Sequence, residues 1–92
     1  MYEVILENPP QRFIKNLIKE EQISVFEAVQ LLEVNPFVGK SLLGKLAGFR
    51  SMRLDTKRSS YRIIYKIENI QLQVIVLRIG YRDNVYHRNA GK

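Results

Sequence analysis

The stretch Ser60–Ile67, SYRIIYKI, alternates aromatic and β-branched residues as a strand does, yet Arg62 sits inside it between bulky neighbours. Further arginines flank it in similar company: Arg53 lies near the end of the run FRSMRL, and Arg78 and Arg82 lie in and just beyond LQVIVLRIGY. Guanidinium groups grip phosphate oxygens in a bidentate fork, so arginines gathered on one surface would hold a phosphate-bearing partner. Whether they gather depends on the strands that carry them.

Side chains alternate across a strand, and residues of one parity share a face. On 60–67 that places Tyr61, Ile63, Tyr65 and Ile67 on one side and Ser60, Arg62, Ile64 and Lys66 on the other. On 49–54, Met52 and Leu54 turn inward, leaving Ser51 and Arg53 outward. On the last run Ile75, Leu77 and Ile79 are expected to face a core, with Val74, Val76, Arg78 and Arg82 facing away. One sheet face then carries Arg53, Arg62, Lys66, Arg78 and Arg82. The linker between the first two strands pairs Leu54 with Tyr61 and Arg53 with Arg62, and a three-residue loop Asn69–Gln71 would pair Arg62 with Arg78. A two-residue slip in either pairing would respect the same parity. Like charges directly opposite one another cost tenths of a kcal/mol to about 1 kcal/mol per pair. A bound anion would offset that cost; the bland alternative is a solvated face whose arginine stems cover Ile64, Val74 and Val76.

The elements that must position these strands are also legible. Residues 2–7 read as a short strand. Asn8 is expected to cap a helix reaching about Glu20, with Pro9 and Pro10 in its first turn and Gln11 closing a capping box. Ser24 with Glu27 suggests a second capping box, opening a helix to about Val34 that Asn35-Pro36 stops. The link Glu20–Ile23 makes the two helices an antiparallel hairpin. Residues 37–48 read as a loop. Gly39-Lys40-Ser41 echoes the tail of a phosphate-binding loop, but the first glycine of that motif would fall at Val34. Three antiparallel strands follow, and the tail RDNVYHRNAGK is expected to hold a short helical turn. The fold class expected is α+β, one domain over residues 1–92, with the helices on one face of a single sheet.

Composition bounds the function. The chain has 92 residues, 46% of them hydrophobic and 26% charged, a globular balance large enough for one modest core. With no cysteine, disulfides and thiolate metal sites are excluded. The N-terminus has no basic leader, and its apolar run is too short for a signal peptide or a membrane span, so a cytoplasmic location is the default. The net charge of +6 favours a polyanionic partner, either nucleic acid or an acidic protein segment. It is unevenly spread: beyond Asn35 the only acids are Asp55, Glu68 and Asp83.

Taken in order, LLGKLAG, Arg53-Leu54, Tyr61-Arg62-Ile63-Ile64-Tyr65, Gly80-Tyr81-Arg82 and Val85-Tyr86 resemble the RelE-type toxins of bacterial and archaeal toxin–antitoxin pairs. The likeness covers almost the whole chain. It implies a ribosome-dependent endoribonuclease that cuts messenger RNA by attack of the ribose 2′-hydroxyl on the adjacent phosphate, leaving a 2′,3′-cyclic phosphate, with no metal and no cofactor. By position, Arg62 would stabilise the transition-state phosphate, and Arg82 would assist it or protonate the leaving oxygen. Tyr86 would stack on a base or orient the 2′-hydroxyl. Arg53 stands where the family has a lysine that helps the proton transfer, and arginine, protonated at all ordinary pH, is a poor base. Ser51 falls where a second family lysine would lie. His87, the sole histidine, titrates in the right range and becomes a candidate base. Lys66, Arg78, Arg50 and Lys45 are expected to contact RNA.

The resemblance also implies a cognate antitoxin, whose acidic or amphipathic segment would wrap the basic half or the apolar face around Phe13 to Ile18, and the ribosome with its message as further partners. Two rival readings remain: a ParE-like inhibitor of DNA gyrase on the same fold, and a nucleic-acid-binding module without enzymatic activity.

Overall fold

The computed structural model describes residues 1–82; the helical turn expected in the tail, and with it Tyr86 and His87, lies outside them. Strand β1 (Glu3–Leu6) leads into helices α1 (Asn8–Lys15) and α2 (Lys19–Val34), followed by β2 (Lys40–Ser41), β3 (Arg50–Asp55), β4 (Ser60–Glu68) and β5 (Gln73–Tyr81). Among the described residues these strands form one sheet in the order β1-β5-β4-β3-β2. The β2 to β5 pairings are antiparallel, whereas β1 lies parallel to β5 at the far edge, Val4 beside Val74 and Leu6 beside Val76. The α+β class and the meander agree with the sequence reading. The stretch 37–48 holds more than a loop: one helical turn at Pro36–Val38, the two-residue strand β2 and a second turn at Gly44–Leu46.

The helix ends differ from those expected, for local reasons. Helix α1 begins one residue early, with Glu7 as its cap and no side-chain cap bond. None could form in the usual way, because the second and third helical positions are Pro9 and Pro10, which have no N–H to donate. Gln11 instead donates from Nε2 to the Leu6 carbonyl at 2.8 Å, tying the helix to the end of β1. The hairpin turn comes earlier too. Helix α2 starts at Lys19, with Glu20 and Glu21 in its first turn where the helix dipole favours acids. Gln22 reaches back and donates to the Ile14 carbonyl at the end of α1, at 2.9 Å. Ser24 is therefore interior, its hydroxyl donating to Glu20 O at 3.3 Å, not a cap.

The core is built between both helices and one sheet face: Ile14, Val25, Ala28, Val29 and Leu32 meet Met52, Tyr61, Ile63, Tyr65, Val74, Val76 and Ile79. Phe13 and Leu17 pack against this cluster, so most of the apolar face once considered for an antitoxin serves the fold itself; Ile18 remains exposed. The inward set on β4 is as the parity argument required. On β5 it is not: Val74 and Val76 are fully buried, not outward. The cause is a β-bulge. Tyr65 pairs with Val76 but Ile64 pairs with Arg78, leaving Leu77 as an extra residue that reverses the parity half-way along the strand.

Candidate phosphate-binding face

Register decides which arginines meet. Strand β3 pairs with β4 as the linker length implied, Leu54 opposite Tyr61 and Arg53 opposite Arg62. The β4–β5 pairing is two residues away from the expected one: Arg62 faces Gly80, and Arg78 faces Ile64. One residue of that difference is the bulge at Leu77. The other is the turn, in which Glu68 pairs with Gln73 and Leu72 takes a positive φ of 54°, so the loop has one residue more. Arg78 is therefore diagonal to Arg62 and exposed to solvent, while Gly80, directly opposite Arg62, brings no side chain.

Arg82 follows β5 and continues its pairing, donating its backbone N–H to Ser60 O at 2.9 Å. It stands close enough to Asp55 for the two charges to interact. The sequence pattern ends this strand at Leu54 and puts Asp55 in the hairpin linker. Strand β3 runs one residue further, so Asp55 shares the face of Arg53 and lies opposite Ser60. Its Oδ2 accepts from Arg53 Nε at 2.9 Å, with both side chains about half exposed. A hydrogen bond with the Ser60 side chain, aided by the charges of Arg53 and Arg82 and opposed by desolvation, holds the Asp55 carboxyl below the usual carboxylate range. The i, i+2 spacing from Arg53 was the available signal.

The other expected contacts divide. Lys66 shares the face of Arg62 on β4 but lies four residues on, about 13 Å along the strand, and its Nζ is 3.4 Å from Glu68. Lys45 is exposed in the turn Gly44–Leu46 beyond the sheet edge. Arg50 is on the wrong side. It shares parity with Met52 and Leu54 and pairs with core Tyr65. Its guanidinium donates to Ser41 Oγ at 3.0 Å, Gly39 O at 2.9 Å and Phe37 O at 3.3 Å, and it lies over the Phe37 ring, so it braces β2 against β3.

Behind the face, a buried polar network holds the β3–β4 hairpin in place. Glu21 Oε1 accepts from the Tyr61 hydroxyl at 2.6 Å and from Thr56 Oγ1 at 2.8 Å. Those two hydrogen bonds lower the Glu21 carboxyl, while burial and then the Glu21 bond push the Tyr61 phenol up to about 12. Tyr61 stacks on Tyr81, and Phe13 meets both edge-on. The aromatic trio thus fixes the end of β5 from which Arg82 departs. Chemically, the face offers guanidinium donors from two adjacent strands and from the end of a third, with one ionised carboxylate among them. No group of three His, Cys, Asp or Glu that could hold a metal occurs among the described residues.

A family model described as the ParE-like toxin of type II bacterial toxin–antitoxin systems matches residues 4–89. The chain belongs to that family. Within it, the toxin is 39% identical over 51 residues to Toxin RelG of Mycobacterium tuberculosis, a match spanning 55% of this chain and 54% of that relative, about half its length. It also matches a chain of the RelBE2 toxin–antitoxin complex of M. tuberculosis, with 31% identity, a TM-score of 0.78, and coverage of 88% of this toxin and 98% of that chain. The E. coli RelBE complex (15% identity, TM-score 0.73, 88% and 96% covered) shares the fold. Its likeness is therefore to RelE-type toxins, as the ordered motifs implied.

Proposed function

We propose that this toxin is a metal-independent endoribonuclease that cuts messenger RNA on the ribosome. The observation that carries the reading is the register pair Arg53–Arg62, with Arg82 brought to the same end of the face beside Asp55. Guanidinium groups converging from adjacent strands can hold the non-bridging oxygens of one phosphodiester and stabilise the charge that grows on them as a 2′-oxygen attacks. In this reading Arg62 holds the phosphate and Arg82 serves the leaving-oxygen side. Arg78 and Lys66 extend the basic surface along the strands for neighbouring RNA phosphates. The products are a 2′,3′-cyclic phosphate and a 5′-hydroxyl.

The related M. tuberculosis and E. coli chains were solved as toxin–antitoxin complexes, which supports a cognate antitoxin as this toxin's partner, with the cytoplasm as the place where it meets ribosomes. No helix among the described residues is long and apolar enough to cross a membrane. A defined message translated by ribosomes, with the toxin added and 5′ ends mapped, tests the reading: sharp cuts at ribosome-occupied codons support it. The ParE-like description of the matching family keeps gyrase inhibition as the second reading. Intact message together with inhibited gyrase supercoiling would select it.

A further inference from the structure

The arginines of the face leave the proposed reaction short of one component. Deprotonating a ribose 2′-hydroxyl needs a proton acceptor, and a guanidinium is protonated at any pH the protein meets. We propose that Asp55 is that acceptor, an assignment that rests on the nuclease reading above. Its place in the sheet is what argues for it. Asp55 is two residues along β3 from Arg53 and opposite Ser60, which precedes Arg62 by two on β4. The carboxylate therefore lies one same-face step, about 7 Å of strand, from the Arg53–Arg62 pair. A phosphate held by that pair would leave its 5′-neighbouring ribose within reach of Asp55. The other carboxylate on β3–β5, Glu68, ends β4 at the opposite side, engaged with Lys66.

The free toxin keeps Asp55 ionised through Ser60, Arg53 and Arg82. Lys57 and Arg58 of the hairpin adjoin it, and across the groove behind it stand Glu20, Glu21 and Glu27 of α2. Arrival of RNA changes this balance. The phosphate competes for Arg53, and its negative charge disfavours a second anion nearby, so the carboxylate becomes a stronger base once substrate is bound. In the step itself an Asp55 Oδ takes the 2′-hydroxyl proton, the 2′-oxygen–phosphorus bond forms, and the phosphorus–5′-oxygen bond breaks. The 5′-oxygen takes a proton from water, and Asp55 returns its own to solvent.

Asp55→Asn in the ribosome-programmed cleavage assay tests this. The expected result is a kcat lower by about 10²–10³-fold, a KM unchanged or reduced because an anion has left a basic face, and loss of the acidic limb of the kcat profile. Asp55→Glu should recover part of the rate. A side chain that only balanced the charge of Arg53 would give the opposite pattern, with kcat retained or the whole effect in KM, and either outcome overturns the proposal. Should Asp55→Asn melt below the assay temperature, Asp55→Ala with added formate decides instead: a rate rising with formate supports the assignment, and no rise overturns it. Wild-type toxin that leaves message intact removes the nuclease reading itself, and this role with it; loss confined to the Asp55 variants bears on Asp55 alone.

Discussion

Arg53 and Arg62 leave adjacent strands at the same level of the same sheet face, two guanidinium side chains directly opposite each other. Such a pair works against the sheet by tenths of a kcal/mol to about 1 kcal/mol. Asp55, 2.9 Å from Arg53, offsets part of it from one side. A ligand that brings negative charge to the pair should therefore stabilise the fold. Short RNA oligonucleotides are expected to raise the melting temperature in a concentration-dependent way, and the rise should shrink as salt is added. A melting temperature indifferent to RNA at low salt would count against a phosphate-holding face.

Arg62→Ala should reduce cleavage by about 10²-fold or more, since it removes a donor aimed at transition-state charge. The side chain is outside the helix-facing core, so circular dichroism and a cooperative melt should show the fold retained. Unchanged cleavage in a folded Arg62→Ala toxin rejects its assignment.

The Glu21 network makes stability depend on pH in a direction that can be worked out. Its carboxyl lies below the ordinary value, first through the Tyr61 hydrogen bond and then through Thr56. A carboxyl lowered by folding contributes stability above its unfolded pKa and loses it as pH falls through the folded one. Tyr61 works in the opposite sense. Its phenol is pushed up to about 12, so its contribution is complete below the unfolded value near 10 and fades as pH rises toward 12. Melting temperature against pH should thus fall at both extremes. Glu21→Gln should lower the plateau by several degrees and flatten the acid side.

How much of this was written legibly in the chain varies with how local the signal is. The β3–β4 register was readable because linker length and parity agree on it, and Tyr61, Ile63 and Tyr65 are buried as their spacing requires. Helix ends were misread because Asn8 and Ser24 fit capping patterns although both lie within helices, which begin at Asn8 and at Lys19. Arg50 was misassigned by charge alone, although its parity with Met52 and Leu54 already placed it on the helix side. Asp55 was overlooked because a strand's last residue looks like the first residue of its turn.

Gly39 accounts for the phosphate-loop echo in structural terms. A Cβ there would lie 2.5 Å from Tyr65 Oη and 2.7 Å from Ser51 O. The Gly39 N–H donates to Tyr65 Oη at 3.0 Å, and that hydroxyl donates to Pro36 O at 2.6 Å, so the crowded atoms are held on several sides. Overpacking of this kind costs about 1–3 kcal/mol. Gly39→Ala should lower the denaturation midpoint correspondingly, with no nucleotide-binding phenotype to accompany it.

Leu77 offers the sharpest test of the sheet. Before it, Val74 and Val76 point into the core opposite Ile67 and Tyr65; after it, Ile79 does so opposite Ile63, and Arg78 points out. The inward residues of β5 change there from even to odd numbers, which is possible only because one residue goes unpaired between them. Deleting Leu77 removes the unpaired residue, so Val74, Val76 and Ile79 can stay inward and Arg78 outward in an uninterrupted ladder with the same partners. Removal of Ile70, almost wholly exposed in the turn between β4 and β5, changes loop length without touching the bulge. Both the Leu77 deletion and the Ile70 deletion should fold and melt cooperatively, each with a modest loss in melting temperature. A Leu77 deletion that fails to fold would show that the sheet needs the bulge itself, and not only the pairings on either side of it.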